Sequence, residues 1–145
     1  MKAKKSKERY YTITMNEHQF CLMINCIEDI SRFMAGQTEL FHTISVLPNY
    51  LEIKDKMEKI AQYITPDLPS NASYGWSGGG CPNEVQAKFI AETYYLYREM
   101  LHQYTLANNI DNVYTSTTLR CKDSGEPIKV TWTDKLPDAG DKEKK

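Results

Sequence analysis

The feature of this sequence that most constrains its fold is a stripe of apolar residues in the first third of the chain. Its members recur at steps of three and four residues, so they share one face of an α-helix, and that face must be buried against another element. They are Phe20, Met23, Ile24, Ile27, Ile30, Met34, Phe41 and Ile44. The segment Thr14-Met15-Asn16-Glu17 has the pattern of a capping box, and Pro48 ends or resets a helix. The sequence therefore predicts one long helix between these two signals.

Two further stretches have helical periodicity. One runs from Leu51 to Ile64 and closes at Thr65-Pro66, and the other starts at or near Pro82. The last helix carries two apolar faces, one formed by Ala87, Ile90, Tyr94, Tyr97, Leu101 and Tyr104 and the other by Val85, Phe89, Leu96 and Met100. A helix that is apolar on two sides is either central in a bundle or shared with another subunit, and this favours a homo-oligomer.

Two segments have the composition of β-structure. Residues 10–15, YYTITM, alternate and are rich in β-forming residues, which predicts a short strand. The stretches VYTSTTLRC and IKVTWT flank turn-forming residues at 122–127, a pattern typical of a β-hairpin. The predicted fold class is therefore α+β: a compact three-helix domain with a short N-terminal strand and a C-terminal β-hairpin. We expect one domain at residues 10–133, a basic disordered arm at 1–9 and a disordered charged tail at 134–145.

Length and charge exclude several broad classes of protein. A chain of 145 residues can bury a core without disulfides or metals, and a formal net charge of −1 argues against a nucleic-acid coat protein. The four cysteines form no CxxC pair and the histidines are scattered, so no metal site is predicted. No leader pattern and no apolar stretch of membrane-spanning length is present, which predicts a cytoplasmic protein without a membrane partner.

The first candidate site residues are Arg32, Gly36 and Gln37. On a helix, Arg32 and Gly36 share a face, so a small molecule resting on the glycine could be held by the guanidinium and by the Gln37 amide. The other interpretation is a kink or a tight helix crossing at Gly36, with Arg32 in a surface ion pair. The spacing of these residues leaves both interpretations open.

The second candidate is the segment NASYGWSGGG, residues 71–80, within a loop that runs from residue 65 to residue 82. Asn71 can cap a turn, Gly75 can adopt a positive φ, and Tyr74 and Trp76 offer rings on which a base or sugar can stack. The glycines lack the spacing of a P-loop, so ATP hydrolysis is not indicated. A flexible connector with Tyr74 packed on the helices is the competing interpretation.

The last predicted helix adds positive charge at Arg98, which shares a face with His102. Ion pairing of Arg98 and His102 with Glu99 and its neighbours is the favoured interpretation of these two residues. No pair of titratable residues is placed for acid–base catalysis, and no serine lies in a nucleophile elbow. The sequence therefore predicts a protein that is not an enzyme and needs no cofactor.

The order of these motifs resembles a family of small phage and prophage proteins. The likeness covers about residues 10–106 and rests on an RxxxGQ helix motif (Arg32, Gly36, Gln37) and an NxxYG loop motif (Asn71, Tyr74, Gly75). Most members are uncharacterised, and small phage proteins of this size often act against host defence. The three glycines after Ser77 and the segment after residue 112 depart from the pattern.

The resemblance and the candidate residues together predict a phage-encoded binding protein in the host cytoplasm. It would sequester a small phosphate-bearing nucleotide, an immune signal of the host, through Arg32, Gly36, Gln37, Asn71, Tyr74, Gly75, Trp76 and Arg98. One alternative is an interaction module that binds and blocks a host protein. Another is a nucleic-acid-binding accessory factor of a mobile element, acting through the basic N-terminal arm.

Overall fold

A computed structural model describes residues 8–110 and 118–135 of the chain. Within these ranges the protein consists of helices and irregular connections, with no strand. The elements are α1 (Glu17–Ala35), α2 (Phe41–Ile44), α3 (Tyr50–Ile64), α4 (Glu84–Ala107) and a single 3₁₀ turn (Lys122–Ser124). The predicted α+β fold class is wrong, because the described chain is all-helical.

Both β-elements were expected from local composition alone. Residues 10–15 form no strand, and residues 118–135 contain the 3₁₀ turn instead of a hairpin. At the turn, the Cys121 amide donates to Oγ of Ser124 over 2.9 Å, so a side chain takes up a backbone group that a hairpin would pair across strands. β-forming residues are stable as strands only beside a partner strand, and none of the described segments supplies one.

Parts of three predictions lie outside the described residues. These parts are residues 1–7 of the basic arm, residues 113–117 of the hairpin and residues 136–145 of the charged tail.

Helix α1 begins two residues later than the predicted capping box. Its N-cap is Asn16, whose Oδ1 accepts from the Gln19 amide at 2.8 Å, while Oε1 of Gln19 accepts from the Asn16 amide at 3.0 Å. The box predicted at Thr14 to Glu17 is therefore wrong. Asn16 satisfies an otherwise unpaired amide of the first turn in the way that the threonine was expected to do.

Helix α1 ends at Gly36 and does not continue to Ile44. Gly36 has a left-handed φ of 111°, and the amides of Gly36 and Gln37 donate to the carbonyl oxygens of Phe33 and Arg32. This is a Schellman motif, which terminates a helix. The prediction of one long helix, with Gly36 in its interior, is wrong: Phe41 and Ile44 belong to the separate short helix α2.

The other two helices follow the prediction closely. Helix α3 ends at Ile64, as Thr65-Pro66 indicated, although none of its residues is buried. Helix α4 is capped by the Asn83 side chain, which accepts from the Gln86 amide, so Pro82 lies just before the cap.

The core lies mainly between α1 and α4, and it has two centres. One consists of Ile24, Tyr97 and Met100, and the other of Ala35, Tyr74 and Ile90. Ile128 and Val130 pack against the first centre, and the Ile128 amide donates to the Tyr95 hydroxyl at 3.3 Å. The C-terminal segment thus covers part of α4 within one chain. The two apolar faces of α4 have an explanation inside one subunit, and the homo-oligomer stays a prediction.

None of the helices within the described ranges combines the length and the apolar character of a membrane span.

Candidate functional site

A wide cleft separates the C-terminal half of α1 from α3. Its other walls are the connection from Gly36 to His42 and residues 69–73 of the long loop, and its volume is about 1050 Å³. We refer to this cavity as the cleft. The Schellman turn at Gly36 opens it, because the chain leaves α1 there, continues through α2 and α3, and returns to the end of α1 through the loop.

A chain of polar contacts joins α1 to the loop along one wall of the cleft. The guanidinium of Arg32 donates from Nε to Oε2 of Glu28 at 2.9 Å and from Nη1 to Oε1 of Gln37 at 2.8 Å. Nε2 of Gln37 then lies 3.4 Å from Oγ of Ser73. The Arg32 side chain is 49% exposed, so its orientation is fixed while a face of it stays accessible to a ligand.

Two carboxylates at the base of the cleft are already engaged within the protein. Glu28, whose side chain is 9% exposed, meets Arg32 through Oε2 and Nε2 of His42 through Oε1, the latter at 3.2 Å. Asp29 is 3% exposed and accepts from the amides of His42 and Thr43 and from Oγ1 of Thr43, at 2.7–3.1 Å. These acids hold α2 against α1. Sequence reasoning overlooked them, because their burial, which requires such internal partners, is visible only in the structure.

The backbone that leads into α2 is constrained as well. Leu40, the N-cap of α2, has φ 52° and ψ 48°, a left-handed conformation that a residue with a branched side chain rarely adopts. Asp29 supplies the hydrogen bonds that the short helix lacks at its own N-cap. The first turn of α2 is thus held in a defined position at the edge of the cleft.

Helix α3 contributes two lysines to the cleft. Nζ of Lys54 lies 2.6 Å from Oε2 of Glu58, and this hydrogen bond raises the pKa of Lys54 above its ordinary value. Lys59, one residue further on, forms no ion pair with any residue in 8–110 or 118–135. Lys59 is therefore a cation available to an incoming anion.

The cleft brings together four of the eight residues predicted to bind a ligand. Arg32, Gly36, Gln37 and Asn71 all line it, although they come from two separate parts of the chain. Asn71 adopts a left-handed φ of 68°, in keeping with the turn chemistry expected of it. A Cβ built on Gly36 would lie 2.6 Å from Cγ2 of Thr65, so the glycine permits the loop and α3 to close around the end of α1.

The other four predicted residues lie elsewhere. Tyr74 is 5% exposed in the core beside Ala35, and its hydroxyl donates to Asp67, a hydrogen bond that raises the pKa of the Tyr74 phenol. Gly75 adjoins it, with a φ outside the positive range that was expected. The Tyr74 ring therefore packs on the helices, which is the competing interpretation of the loop.

Trp76 and Arg98 both contact one ring on α4. The indole centroid of Trp76 is 5.4 Å from that of Tyr94, and the Arg98 guanidinium carbon is 5.9 Å from the Tyr94 centroid. None of these three residues lines the cleft. Next to them, Gly78 has a positive φ, and a Cβ there would lie 2.7 Å from Ala87, so the glycine-rich stretch packs closely on α4.

Two aromatic residues that were not predicted as site residues line the cleft. Phe41 is 65% exposed in the first turn of α2, and Tyr50, at the start of α3, donates its hydroxyl to the Glu39 carbonyl oxygen at 3.3 Å. Phe41 was assigned to the buried stripe, because its spacing fits a helix that would have continued beyond Gly36. Only the turn at that glycine moves the ring out of the core.

Metal binding and similarity to known proteins add no further constraint. Across residues 8–110 and 118–135, no three histidine, cysteine, aspartate or glutamate side chains are grouped so that they could hold a metal ion. No protein-family model matches the chain, and no curated protein or solved structure shows significant similarity to it.

Proposed function

We propose that this protein is a non-enzymatic binding protein that holds a small phosphate-bearing ligand of the nucleotide type in the cleft. The observation that carries the proposal is that Arg32, Gln37 and Asn71 line one cavity from separate parts of the chain. Cavities that bind small molecules measure about 300–1,000 Å³. The cleft, at about 1050 Å³, has room for a ligand as large as a dinucleotide.

Arg32 is the principal phosphate ligand in this proposal. Its contacts with Glu28 and Gln37 orient the guanidinium in the free protein, so little side-chain freedom is lost when an anion binds. A guanidinium donates two parallel hydrogen bonds to phosphate or carboxylate oxygens, which makes it suited to this role. Lys59 supplies a second positive charge on the opposite wall of the cleft.

The engagement of the buried carboxylates supports binding without turnover. Glu28 and Asp29 direct their oxygens at Arg32, His42 and Thr43, so each acts as a structural anchor of α2. A general base needs an oxygen directed at the substrate. Capture without chemistry is what sequestration of a signal molecule requires. The resemblance to small phage proteins makes a host immune nucleotide the expected ligand, and a homo-oligomer the expected form.

Ligand binding is tested with purified protein and a panel of cyclic di-AMP, cyclic di-GMP, ADP-ribose and AMP. We expect at least one of these nucleotides to raise the thermal unfolding midpoint and to be released intact when the protein is heated. Binding to the native state alone stabilises it by an amount that grows with ligand concentration, so the shift should increase along a titration. The absence of any shift across the panel contradicts the proposal.

The phosphate-binding role of Arg32 is tested by Arg32→Ala. Removing a charge-assisted hydrogen bond costs about 1.5–3 kcal/mol, so we expect the affinity to fall roughly 10- to 150-fold by calorimetric titration. Lys88→Ala is the matched control, because Lys88 is an exposed cation on α4 that lies outside the cleft. If both variants bind the ligand as tightly as the unsubstituted protein does, Arg32 is not part of the binding site.

A second candidate function rests on a different surface. Val46, Leu47 and Leu51, between α2 and the first turn of α3, are all exposed. Neighbouring exposed apolar side chains are typical of protein–protein contact surfaces. They favour the interaction module that blocks a host protein. A stoichiometric protein partner from host lysate, together with a panel that gives no thermal shift, would select this function over ligand capture.

A further inference from the structure

The aromatic rings predicted to stack on a base, Tyr74 and Trp76, lie outside the cleft. A nucleotide held by Arg32 would therefore need another surface for its base. We infer that Phe41 is that surface, and that the cleft recognises a phosphate and an aromatic base as two separate features of one ligand. This inference rests on the proposed function and adds a specificity-determining residue to it.

Exposure is the first observation that supports this role. Phe41 is 65% exposed although it is a large apolar residue, and it lines the same cleft as Arg32. A base placed on the ring would remove apolar surface of both partners from water, which is favourable. Stacking on an aromatic side chain accepts any base, because every base has a π-face.

The second observation is that the residue next to Phe41 is anchored to α1. The rings of Phe41 and His42 meet edge to face with their centroids 5.7 Å apart. His42 is held in turn by Glu28 at 3.2 Å through its side chain and by Asp29 at 3.1 Å through its amide. The backbone that carries Phe41 is thus positioned before a ligand arrives, so less conformational freedom is lost on binding.

The third observation is the backbone at Leu40. Its left-handed conformation turns the chain between Glu39 and Phe41, and strain of this kind persists only where the surrounding structure enforces it. Here Asp29 does so, by accepting hydrogen bonds from the amides of His42 and Thr43. Glu28, one residue before, contacts both His42 and Arg32. The ring and the guanidinium are thus positioned by adjacent residues of α1, which couples the two halves of the site.

The inference is tested by comparing nucleotides with a sugar phosphate that has no base; AMP and ribose 5-phosphate differ in the base alone. Calorimetric titrations compare the four nucleotides of the panel with ribose 5-phosphate, which has the sugar and the phosphate but no base. For Phe41→Ala we expect the affinity for the bound nucleotide to fall roughly 5- to 150-fold, with binding of ribose 5-phosphate unchanged. Phe41→Trp should restore nucleotide affinity, since it returns an aromatic face.

Tyr63→Ala is the matched control, because Tyr63 is an aromatic residue that is 76% exposed on α3 and lies outside the cleft. If Phe41→Ala does not change the affinity for the nucleotide, the inference is overturned and the proposed function still holds. An equal loss for nucleotide and for ribose 5-phosphate also overturns it, because Phe41 would then only support the fold of the cleft. If the unchanged protein binds none of the probes, the proposed function fails and the inference fails with it.

Discussion

At the scale of single residues, Gly36 determines where α1 ends and where the cleft opens. Gly36→Ala should lower the free energy of unfolding by at least about 1–2 kcal/mol, the cost of a left-handed conformation for a residue with a Cβ. The new methyl group would also lie 2.6 Å from Cγ2 of Thr65, which adds a clash. Urea unfolding of the variant measures the sum of both effects.

The two effects can be separated by a second substitution. Thr65→Ser removes Cγ2 but keeps the hydroxyl that donates to the Ala61 carbonyl oxygen. The double variant should therefore lose less free energy of unfolding than the two single variants lose in sum. The cost of the left-handed φ at residue 36 should remain. Gly75→Ala is the control, since a Cβ there meets no atom within 4 Å and should change stability by less than about 1 kcal/mol. Strict additivity would show that Thr65 moves aside without cost.

At the scale of elements, α2 depends on a residue of another helix. Asp29→Ala removes the acceptor of the His42 amide and the nearer of the two acceptors of the Thr43 amide, which keeps the Leu40 carbonyl oxygen at 3.2 Å. We expect these amides to exchange faster with deuterium and the protein to lose about 1–3 kcal/mol of stability. Asp29→Asn, which keeps one acceptor oxygen, should lie in between.

Glu58→Ala provides the control for Asp29→Ala. Glu58 is an acid of the same cleft, but its ion pair with Lys54 is exposed and should contribute less than about 1 kcal/mol. Unchanged exchange at His42 and Thr43 in Asp29→Ala would show that α2 is held by other contacts.

Helices and strands were predictable from the sequence where local signals determine them. They were not predictable where contact with another segment of the chain determines them. The periodicity of α3 and its end at Thr65-Pro66 are local, and the structure confirms them. The end of α1 at Gly36 was not recognised, because the apolar spacing continues across the glycine to Phe41 and Ile44. Residues 10–15 have β-forming side chains, but a strand requires a neighbour that composition alone does not show.

The residues of the candidate site also fall into those that the sequence predicted and those that it did not. Arg32, Gly36 and Gln37 are close in sequence, and Asn71 was placed beside them as a hypothesis; all four line the cleft. Whether an aromatic ring of a loop faces solvent or the core depends on what packs against it. Tyr74 meets Ala35 and Ile90, whereas Phe41 was expected in the core and lies at the cleft.

At the scale of the whole molecule, Tyr97 links the core to the stability of the fold at high pH. Burial, followed by the charge of Glu28, raises the pKa of the Tyr97 phenol to about 12 from its ordinary 10.0. Between about pH 10 and 12 the unfolded chain releases a proton that the folded chain keeps. The contribution of Tyr97 to the free energy of unfolding is therefore complete below pH 10 and is lost as the pH rises to 12. The free energy falls by no more than about 1.4 kcal/mol per pH unit over this range.

Urea unfolding at a series of alkaline pH values measures this loss. Tyr97→Phe should flatten the decline of stability above pH 10, because the phenylalanine has no proton to lose. A part of the decline should remain, since the hydrogen bond to Asp67 raises the pKa of Tyr74 and its ionisation acts in the same direction. Tyr63→Phe controls for the loss of an exposed hydroxyl. An unchanged slope in Tyr97→Phe would show that this phenol reaches water in the native state, which would place the α1–α4 interface nearer to solvent than its packing indicates.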